Sequence, residues 1–314
     1  MTMMNQEPSE RGHPPRRVTP LAVTPVQMPD ELLFPLTRGA VEKLVHRALL
    51  EDGAYTDITT IATVLSNRRA RGTLVARQSG IVAGIPLALE AFRLVDPKVS
   101  IRIDVEDGIR VEAHHPVLFV TGHAREILSA ERVALNFLGR LSGIASLTAR
   151  YVDAVAGTTA RIVDTRKTTP GWRKLEKYAV RAGGGLNHRM DLATGVLIKD
   201  NHLAAVDGDV ALAVRRAREK APAGMRIEVE CDRPEQVEAA VAAGADIIML
   251  DNMHITTMRE CVELVNGRAV VEASGGVTLE TVRAIAMTGV DWISVGALTH
   301  SAPSMDVALD FDPA

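Results

Sequence analysis

Apolar and polar positions alternate with two different rhythms in the second half of this chain. Between residue 157 and residue 295, short apolar runs are separated by segments whose apolar residues recur every three or four positions. The runs predict buried strands and the segments predict amphipathic helices. We predict six strands, near residues 161–164, 195–198, 226–230, 246–250, 269–273 and 291–295, and helices that include 203–220, 234–242, 253–265 and 278–288. Repeated strand–helix units favour a parallel sheet or an α/β barrel, and six strands are fewer than the eight of a complete barrel.

The first half has a more mixed pattern. A helical apolar face predicts a helix over residues 37–51, and strand-like segments follow at 71–77, 100–105 and 117–123. A second helical stretch extends to about Ala156, with Ser129 as its candidate N-cap. We divide the chain into a proline-rich arm expected to be disordered (1–28), a small α/β domain (29–134), the barrel (135–303) and a last segment expected to return to the first domain (304–314).

Composition narrows the class of protein. The 314 residues carry a net charge of −3 and only 3% aromatic residues, which argues against a nucleic-acid-binding protein. No apolar run approaches the roughly 20 residues that span a bilayer, and the N-terminus lacks the apolar core of a secretory signal. The two cysteines form no disulfide framework, and the histidines show no metal-binding spacing. We therefore expect a cytoplasmic protein without a structural metal site or a membrane partner.

Each predicted strand of the second half ends in polar residues or glycine. Because the carboxyl ends of parallel strands meet at one end of a barrel, these residues are expected to surround one site. The segment 164–202 is also dense in cations, which suits a pocket for a polyanion. The strand-end residues are Thr165, Arg166, Lys167, Lys199, Asp200, Asn201, Glu230, Asp251, Asn252, Ser274, Gly275, Gly276 and Gly296.

Three acidic positions need partners or a role. Glu228 and Glu230 are two residues apart on one predicted strand, so their side chains share a face. Burying them without cations would be costly, and Lys167 and Lys199 are the candidate partners. Asp251 ends an apolar run, where it is either a site residue or the N-cap of a helix that begins near Met253.

Glycine-rich segments follow two late strands and one helix. Residues 274–276 and 294–296 are typical of loops whose backbone N–H groups hold a phosphate. The three glycines at 183–185 follow a predicted helix instead, so we interpret them as a helix C-cap and a loop.

With these residues assembled, the chain resembles the quinolinate phosphoribosyltransferase family from about Thr37 to the C-terminus. The resemblance implies an N-terminal α/β sandwich, a barrel short of eight strands, and a homodimer with shared active sites, with a larger assembly of dimers left open. Its substrates would be quinolinate and phosphoribosyl pyrophosphate, converted to nicotinate mononucleotide for NAD synthesis. The segments that match are DTRKTTPGWRKLEKYAV, GGGLNHRMDLATGVLIKDNH, EVECD, IIMLDN, VEASGGV and ISVGALTHS.

The resemblance also implies roles for the site residues. Lys167, Glu230 and Asp251 would be catalytic, with Glu230 preferred over Glu228. Mg²⁺ would bind mainly through the donor pyrophosphate, near Glu230 and Asp251. The quinolinate carboxylates would contact Arg166, His188, Arg189 and Lys199 together with Arg132 of the partner subunit, and the 5-phosphate would contact Ser274, Gly275, Gly276, Ser294, Val295 and Gly296.

Three other functions remain open on the sequence alone. One is a related phosphoribosyltransferase with a different acceptor, such as that encoded beside molybdate transporters. The second is a barrel aldolase or synthase in which Lys167 or Lys199 forms a Schiff base. The third is a sensor that binds phosphoribosyl pyrophosphate without turnover.

Overall fold

The computed structural model describes residues 32–313 of the chain. The strands are β1 (Arg69–Ala76), β2 (Gly80–Ile81), β3 (Ser100–Ile103), β4 (Arg110–Val111), β5 (Pro116–His123), β6 (Arg161–Val163), β7 (Val196–Ile198), β8 (Ile227–Cys231), β9 (Ile247–Asp251), β10 (Val270–Ser274), β11 (Trp292–Ser294) and β12 (Val307–Pro313). The helices are α1 (Arg38–Glu51), α2 (Ile58–Thr63), α3 (Ile85–Val95), α4 (Ala124–Ala154), α5 (Arg173–Ala182), α6 (Asp200–Ala204), α7 (Val210–Lys220), α8 (Pro234–Ala242), α9 (Ile255–Val265), α10 (Val282–Ala286) and α11 (Ala297–His300).

An antiparallel sheet with helices on it forms the first structural unit. Its strand order is β12-β1-β5-β3, so the last strand of the chain pairs with the first, placing Leu309 opposite Leu74. Burial along β5 alternates over much of its length, as expected for a strand with one face against a core. Helix α4 contacts β1, β5 and β12 as well as α5 and β6. This 31-residue helix therefore connects the antiparallel sheet to the second unit.

The second unit is an incomplete α/β barrel. Six parallel strands lie in the order β6-β11-β10-β9-β8-β7. The strands that come first and last along the chain, β6 and β11, are therefore neighbours. Strands β8, β9 and β10 consist mostly of buried residues, as expected for parallel strands covered by helices. The predicted class, a small α/β domain followed by a barrel short of eight strands, is confirmed.

A single residue pairs with β6 at the edge of the parallel sheet. Leu186 donates its N–H to the carbonyl of Ile162 at 2.8 Å and accepts the N–H of Asp164 at 3.0 Å. This isolated parallel bridge takes the place of a further strand and brings residues 187–189 to the mouth of the barrel. The glycines before it act as predicted, because Gly183 is the C-cap of α5. A side chain at Gly183 would overlap the backbone of Ala145 on α4.

Two predicted helix boundaries are wrong. Helix α4 begins at Ala124 after His123, so Ser129 lies inside the helix and is not its N-cap. The predicted helix over 203–220 is divided into α6 and α7. Asp207 and Gly208 adopt positive φ values of 55° and 78°, which end the first helix, and the side chain of Asp209 caps the second.

Three further expectations concern the N-terminal arm, membrane-spanning helices and the cysteines. The predicted arm at residues 1–28 lies outside the described residues. None of the helices that the structure describes is both long and apolar enough to cross a membrane. Cys231 and Cys261 are free and buried.

Candidate active site

Except for Asp200 and Asn201, the strand-end residues line one cavity of about 800 Å³ at the mouth of the barrel. Around the barrel wall, the cations of the β6–β7 side come first, the carboxylates of β8 and β9 follow, and the glycine-rich loops after β10 and β11 complete the circle. The predicted residues that line this cavity are Thr165, Arg166, Lys167, His188, Arg189, Lys199, Glu230, Asp251, Ser274, Gly275, Gly276, Ser294, Val295 and Gly296.

Arg132, to which the family resemblance assigns a role, does not line this cavity. It lies on α4, a helix that leads from the antiparallel sheet toward the barrel, and its side chain is exposed. Within this chain, the Arg132 side chain is therefore not part of the cavity.

The turn after β6 presents two cations. The hydroxyl of Thr165 accepts the N–H of Lys167 at 3.1 Å, and the carbonyl of Lys167 accepts the hydroxyl of Thr299 at 2.7 Å. These bonds fix the backbone from which the exposed Lys167 side chain extends. The Nε atom of Arg166 is buried without a hydrogen-bond partner among the described residues, so this guanidinium retains donor capacity for an anion.

Two carboxylates occupy the opposite side of the cavity. Glu230 forms an ion pair with Lys199, as predicted. Asp251 is the last residue of β9 and accepts the side-chain amide of Asn252 at 2.8 Å. Helix α9 begins only at Ile255 after His254, so the alternative of Asp251 as its N-cap is wrong.

Glu228 has a partner that the sequence did not predict. Its Oε2 lies 2.9 Å from Nε2 of His188, and Oε2 of Glu272 lies 3.5 Å from the same nitrogen. The expectation that a lysine would pair with Glu228 is therefore wrong. Burial and the neighbouring Glu272 raise the pKa of Glu228. Burial lowers the pKa of His188, but the two carboxylates outweigh it and raise that pKa above its usual value.

These three side chains also have the composition of a metal site, since their ligand atoms lie within 4.8 Å of one another. The other ring nitrogen argues against that use. Nδ1 of His188 accepts the backbone N–H of Arg189 at 2.8 Å, so the ring proton belongs on Nε2. A metal-binding histidine would instead have an unprotonated Nε2 and donate from Nδ1. The geometry fits an imidazole whose Nε2–H faces two carboxylates.

A buried ion pair lies beneath the cationic side of the cavity. Lys177 and Asp164 are both fully buried and pair with each other. Burial lowers the pKa of Lys177 and raises that of Asp164, while their mutual attraction opposes both shifts. Asp164 also accepts the amide of Asn187 at 2.6 Å and the N–H of His188 at 2.9 Å. The pair thus fixes residues 187 and 188, which follow the bridge at Leu186.

Replacing Lys177 with methionine should destabilise the protein severely. The substitution leaves Asp164 charged and buried without its cation, so the free energy of unfolding should fall by about 3–5 kcal/mol. Denaturant unfolding measures this loss. Lys174→Met on the exposed side of the same helix is the matched control, expected to change the free energy by less than about 0.5 kcal/mol. Equal effects of the two substitutions would contradict the assigned role of the pair.

The loop after β10 requires glycine for two reasons. Gly275 has a φ of 96°, in the region that side chains disfavour, and a side chain there would overlap the amide of Asn252. Because the next residue, Gly276, also has a positive φ of 59°, the loop folds tightly over the strand end. Such a backbone suits close approach of an anion.

Sequence reasoning missed two groups of functional side chains. Glu272 lines the cavity although its side chain is fully buried in an apolar strand, and the charge within that run was the available signal. Lys177 was assigned to a cationic segment without its partner Asp164, because a pair 13 residues apart depends on how α5 returns to the barrel.

Residues 57–142 match the N-terminal domain of quinolinate phosphoribosyl transferase, and residues 144–310 match its C-terminal domain. The chain belongs to the quinolinate phosphoribosyltransferase family.

The similarity to individual relatives extends over nearly the whole length of each relative. The nicotinate-nucleotide pyrophosphorylase [carboxylating] of Mycobacterium leprae is 46% identical over 86% of this chain and 97% of its own. A probable enzyme of the same name from Bacillus subtilis is 43% identical over 86% of this chain and 93% of its own. Among solved structures, NadC from Streptococcus pyogenes has a TM-score of 0.84 at 40% identity, covering 89% of this chain and 99% of that one.

Proposed function

We propose that this protein transfers the phosphoribosyl group of phosphoribosyl pyrophosphate to quinolinate. The products are nicotinate mononucleotide, pyrophosphate and carbon dioxide, and the reaction supplies NAD synthesis. One observation carries the assignment: a single cavity combines a cationic side, two carboxylates and two glycine-rich loops. The names of the relatives favour this reaction over a phosphoribosyltransferase with another acceptor, a Schiff-base aldolase or a sensor.

The cationic side suits the acceptor. Quinolinate carries two adjacent carboxylates, and guanidinium groups bind carboxylates with paired hydrogen bonds while remaining charged. Arg166 and Arg189 provide these groups, with Lys199 on the next strand. Holding the dianion there would orient its ring nitrogen toward the anomeric carbon of the donor.

The carboxylates suit the charge that develops in the donor. Loss of pyrophosphate from the ribose produces positive charge on the sugar ring, which Glu230 and Asp251 would stabilise electrostatically. The backbone of residues 274–276 and 294–296 would hold the 5-phosphate. After the ring nitrogen is ribosylated, the pyridinium withdraws the electron pair left by the departing 2-carboxylate. Lys167 would then protonate that carbon.

Magnesium is expected to enter with the donor. Glu230 and Asp251 offer the oxygen ligands that this ion prefers, and it commonly combines one or two carboxylates with substrate phosphates. Magnesium would neutralise the charge of the leaving pyrophosphate. Glu230 also pairs with Lys199, so that lysine would share the carboxylate with the ion.

A homodimer would complete the site with Arg132 of the partner subunit. Support comes from exposed apolar residues on α2 and immediately before and after it: Tyr55, Ile58, Ile61 and Leu65. Ile58 and Leu65 are each 74% exposed, and clusters of this kind commonly mark interfaces. Arg125 of α4 donates to the carbonyl of Val64 at 2.7 Å, beside this surface. Because Arg132 follows Arg125 by seven residues on the same helix, it lies on the same face.

The acceptor choice is the first test of this proposal. Nicotinate lacks the 2-carboxylate, so it would leave part of the cationic side unpaired, and unpaired buried groups cost affinity. We expect kcat/KM for quinolinate to exceed that for nicotinate by on the order of a hundredfold or more. Steady-state assays with both acids measure this ratio.

A variant shows whether the preference originates in the cavity. Arg189→Met should lower kcat/KM for quinolinate and so reduce the ratio of kcat/KM for quinolinate to kcat/KM for nicotinate. Arg181→Met on α5, outside the cavity lining, should leave this ratio unchanged. Comparable kcat/KM values for the two acids in the unaltered enzyme would exclude a dicarboxylate acceptor.

A further inference from the structure

His188 is held at the mouth of the barrel through both its backbone and its ring. Its N–H donates to Oδ1 of Asp164 at 2.9 Å, and its carbonyl accepts from Nζ of Lys177 at 3.0 Å. The ring has neighbours on both nitrogens: Glu228 and Glu272 at Nε2, and the backbone N–H of Arg189 at Nδ1. Few side chains in the cavity are constrained from so many directions.

The two glutamates have little other use in the described structure. Glu272 is fully buried and the side chain of Glu228 is 3% exposed. Oε1 of Glu228, both oxygens of Glu272 and Nε2 of His188 are buried and make no hydrogen bond within the described residues, so His188 and the two glutamates meet as an ion-pair cluster. Carboxylates buried in this way are costly unless a partner compensates them. The imidazole of His188 is the nearest such partner.

The ring connects these carboxylates to an arginine of the acceptor side. A proton on Nε2, facing Glu228 and Glu272, leaves Nδ1 free to accept the N–H of Arg189. A second proton on Nδ1 would have to displace that hydrogen bond. Arg189 is held at its other end as well, because Nη1 donates to the carbonyl of Gly195 at 2.9 Å. The carboxylates therefore act on the guanidinium through the turn at residues 188–189.

We propose that Glu228, assisted by Glu272, is a positioning residue for the acceptor. Glu228 keeps a proton on Nε2 of His188, the ring accepts the N–H of Arg189 through Nδ1, and this turn directs the Arg189 guanidinium into the cavity. The inference rests on the proposed function, since it assigns Arg189 to quinolinate. It leaves catalysis at the donor to Glu230 and Asp251.

Kinetics of two variants at Glu228 separate positioning from general stability. Glu228→Leu removes the carboxylate that lies 2.9 Å from Nε2 and should raise KM for quinolinate about tenfold while changing KM for phosphoribosyl pyrophosphate less than about twofold. Glu228→Gln retains an acceptor oxygen and should stay close to the unaltered enzyme. Glu238→Leu, at an exposed position on α8, is the control for loss of a glutamate. Equal damage by Leu and Gln, or equal rises in both KM values, would overturn the proposal.

The protonation of the ring gives a readout that needs no turnover. In protein with ¹⁵N-labelled histidine, nitrogen NMR should show a proton on Nε2 of His188 and none on Nδ1 near neutral pH, because Nδ1 accepts the N–H of Arg189. The spectrum of His188→Asn identifies this signal among the nine histidines. An unprotonated Nε2, or a proton on Nδ1, would overturn the proposal even if the Leu variant did not fold. Failure of the unaltered enzyme to use quinolinate would contradict the proposed function alone, because the spectrum is recorded without substrate.

Discussion

Homodimers of Arg132→Ala and homodimers of Lys167→Ala are each expected to be nearly inactive, whereas their mixture should regain activity. Lys167 lines the cavity of its own chain and Arg132 does not. If the partner subunit provides Arg132, each homodimer lacks one cation in both of its cavities. A heterodimer with one subunit of each kind has one cavity that lacks both cations and one that is intact. A two-fold dimer makes this the only arrangement of the two substitutions.

The expected recovery can be stated as a fraction. With random exchange about half the dimers are mixed, so about a quarter of all cavities regain both cations. Refolding the two variants together and measuring activity per cavity tests this value, and mass spectrometry of differently tagged chains confirms the exchange. Mixing Lys167→Ala with Lys167→Arg is the control, because neither chain can supply the missing lysine. Activity that stays at the level of the parents after confirmed exchange would remove Arg132 from a shared site.

Replacing Glu230 by glutamine or Asp251 by asparagine is expected to reduce kcat by on the order of ten- to a thousand-fold. Each amide keeps the shape of the side chain but removes the negative charge assigned to the transition state. Binding of quinolinate without the donor should change little, because the acceptor side consists of cations. Steady-state kinetics measure kcat, and calorimetric titration measures the binding of quinolinate without the donor.

The neighbouring glutamate is the matched control for this prediction. Glu228 lies on the same strand two residues earlier and contacts His188, so Glu228→Gln should change kcat far less than Glu230→Gln. The reverse order, with Glu230→Gln harmless and Glu228→Gln inactive, would show that the two roles were assigned to the wrong glutamates.

The strand-end residues could be predicted from sequence because local signals define them. An apolar run followed by polar residues marks the end of a buried strand, and parallel strands place such ends together. Lys199, Glu230 and Asp251 meet in one cavity for this reason. Neither the period of the helices nor composition was needed for this part of the site.

The remaining features depend on contacts that local patterns do not encode. Leu186 pairs with β6 by a bridge of one residue, too short for any periodic signal. The partner of Glu228 is a histidine 40 residues earlier, brought close by that same segment. No local pattern in the sequence indicates that Arg132 would contribute to the cavity of a partner subunit. These features depend on contacts between residues that are distant in sequence or lie on different subunits, so only the folded structure can reveal them.

The most direct test of the assigned reaction follows the carboxylate that leaves. Quinolinate labelled in its 2-carboxylate is incubated with the enzyme, phosphoribosyl pyrophosphate and magnesium, and labelled carbon dioxide, pyrophosphate and nicotinate mononucleotide are measured together. We expect the three products in equal amounts and no carbon dioxide without the donor. Label retained in a dicarboxylate nucleotide, or formation of no nucleotide at all, would contradict the proposed function.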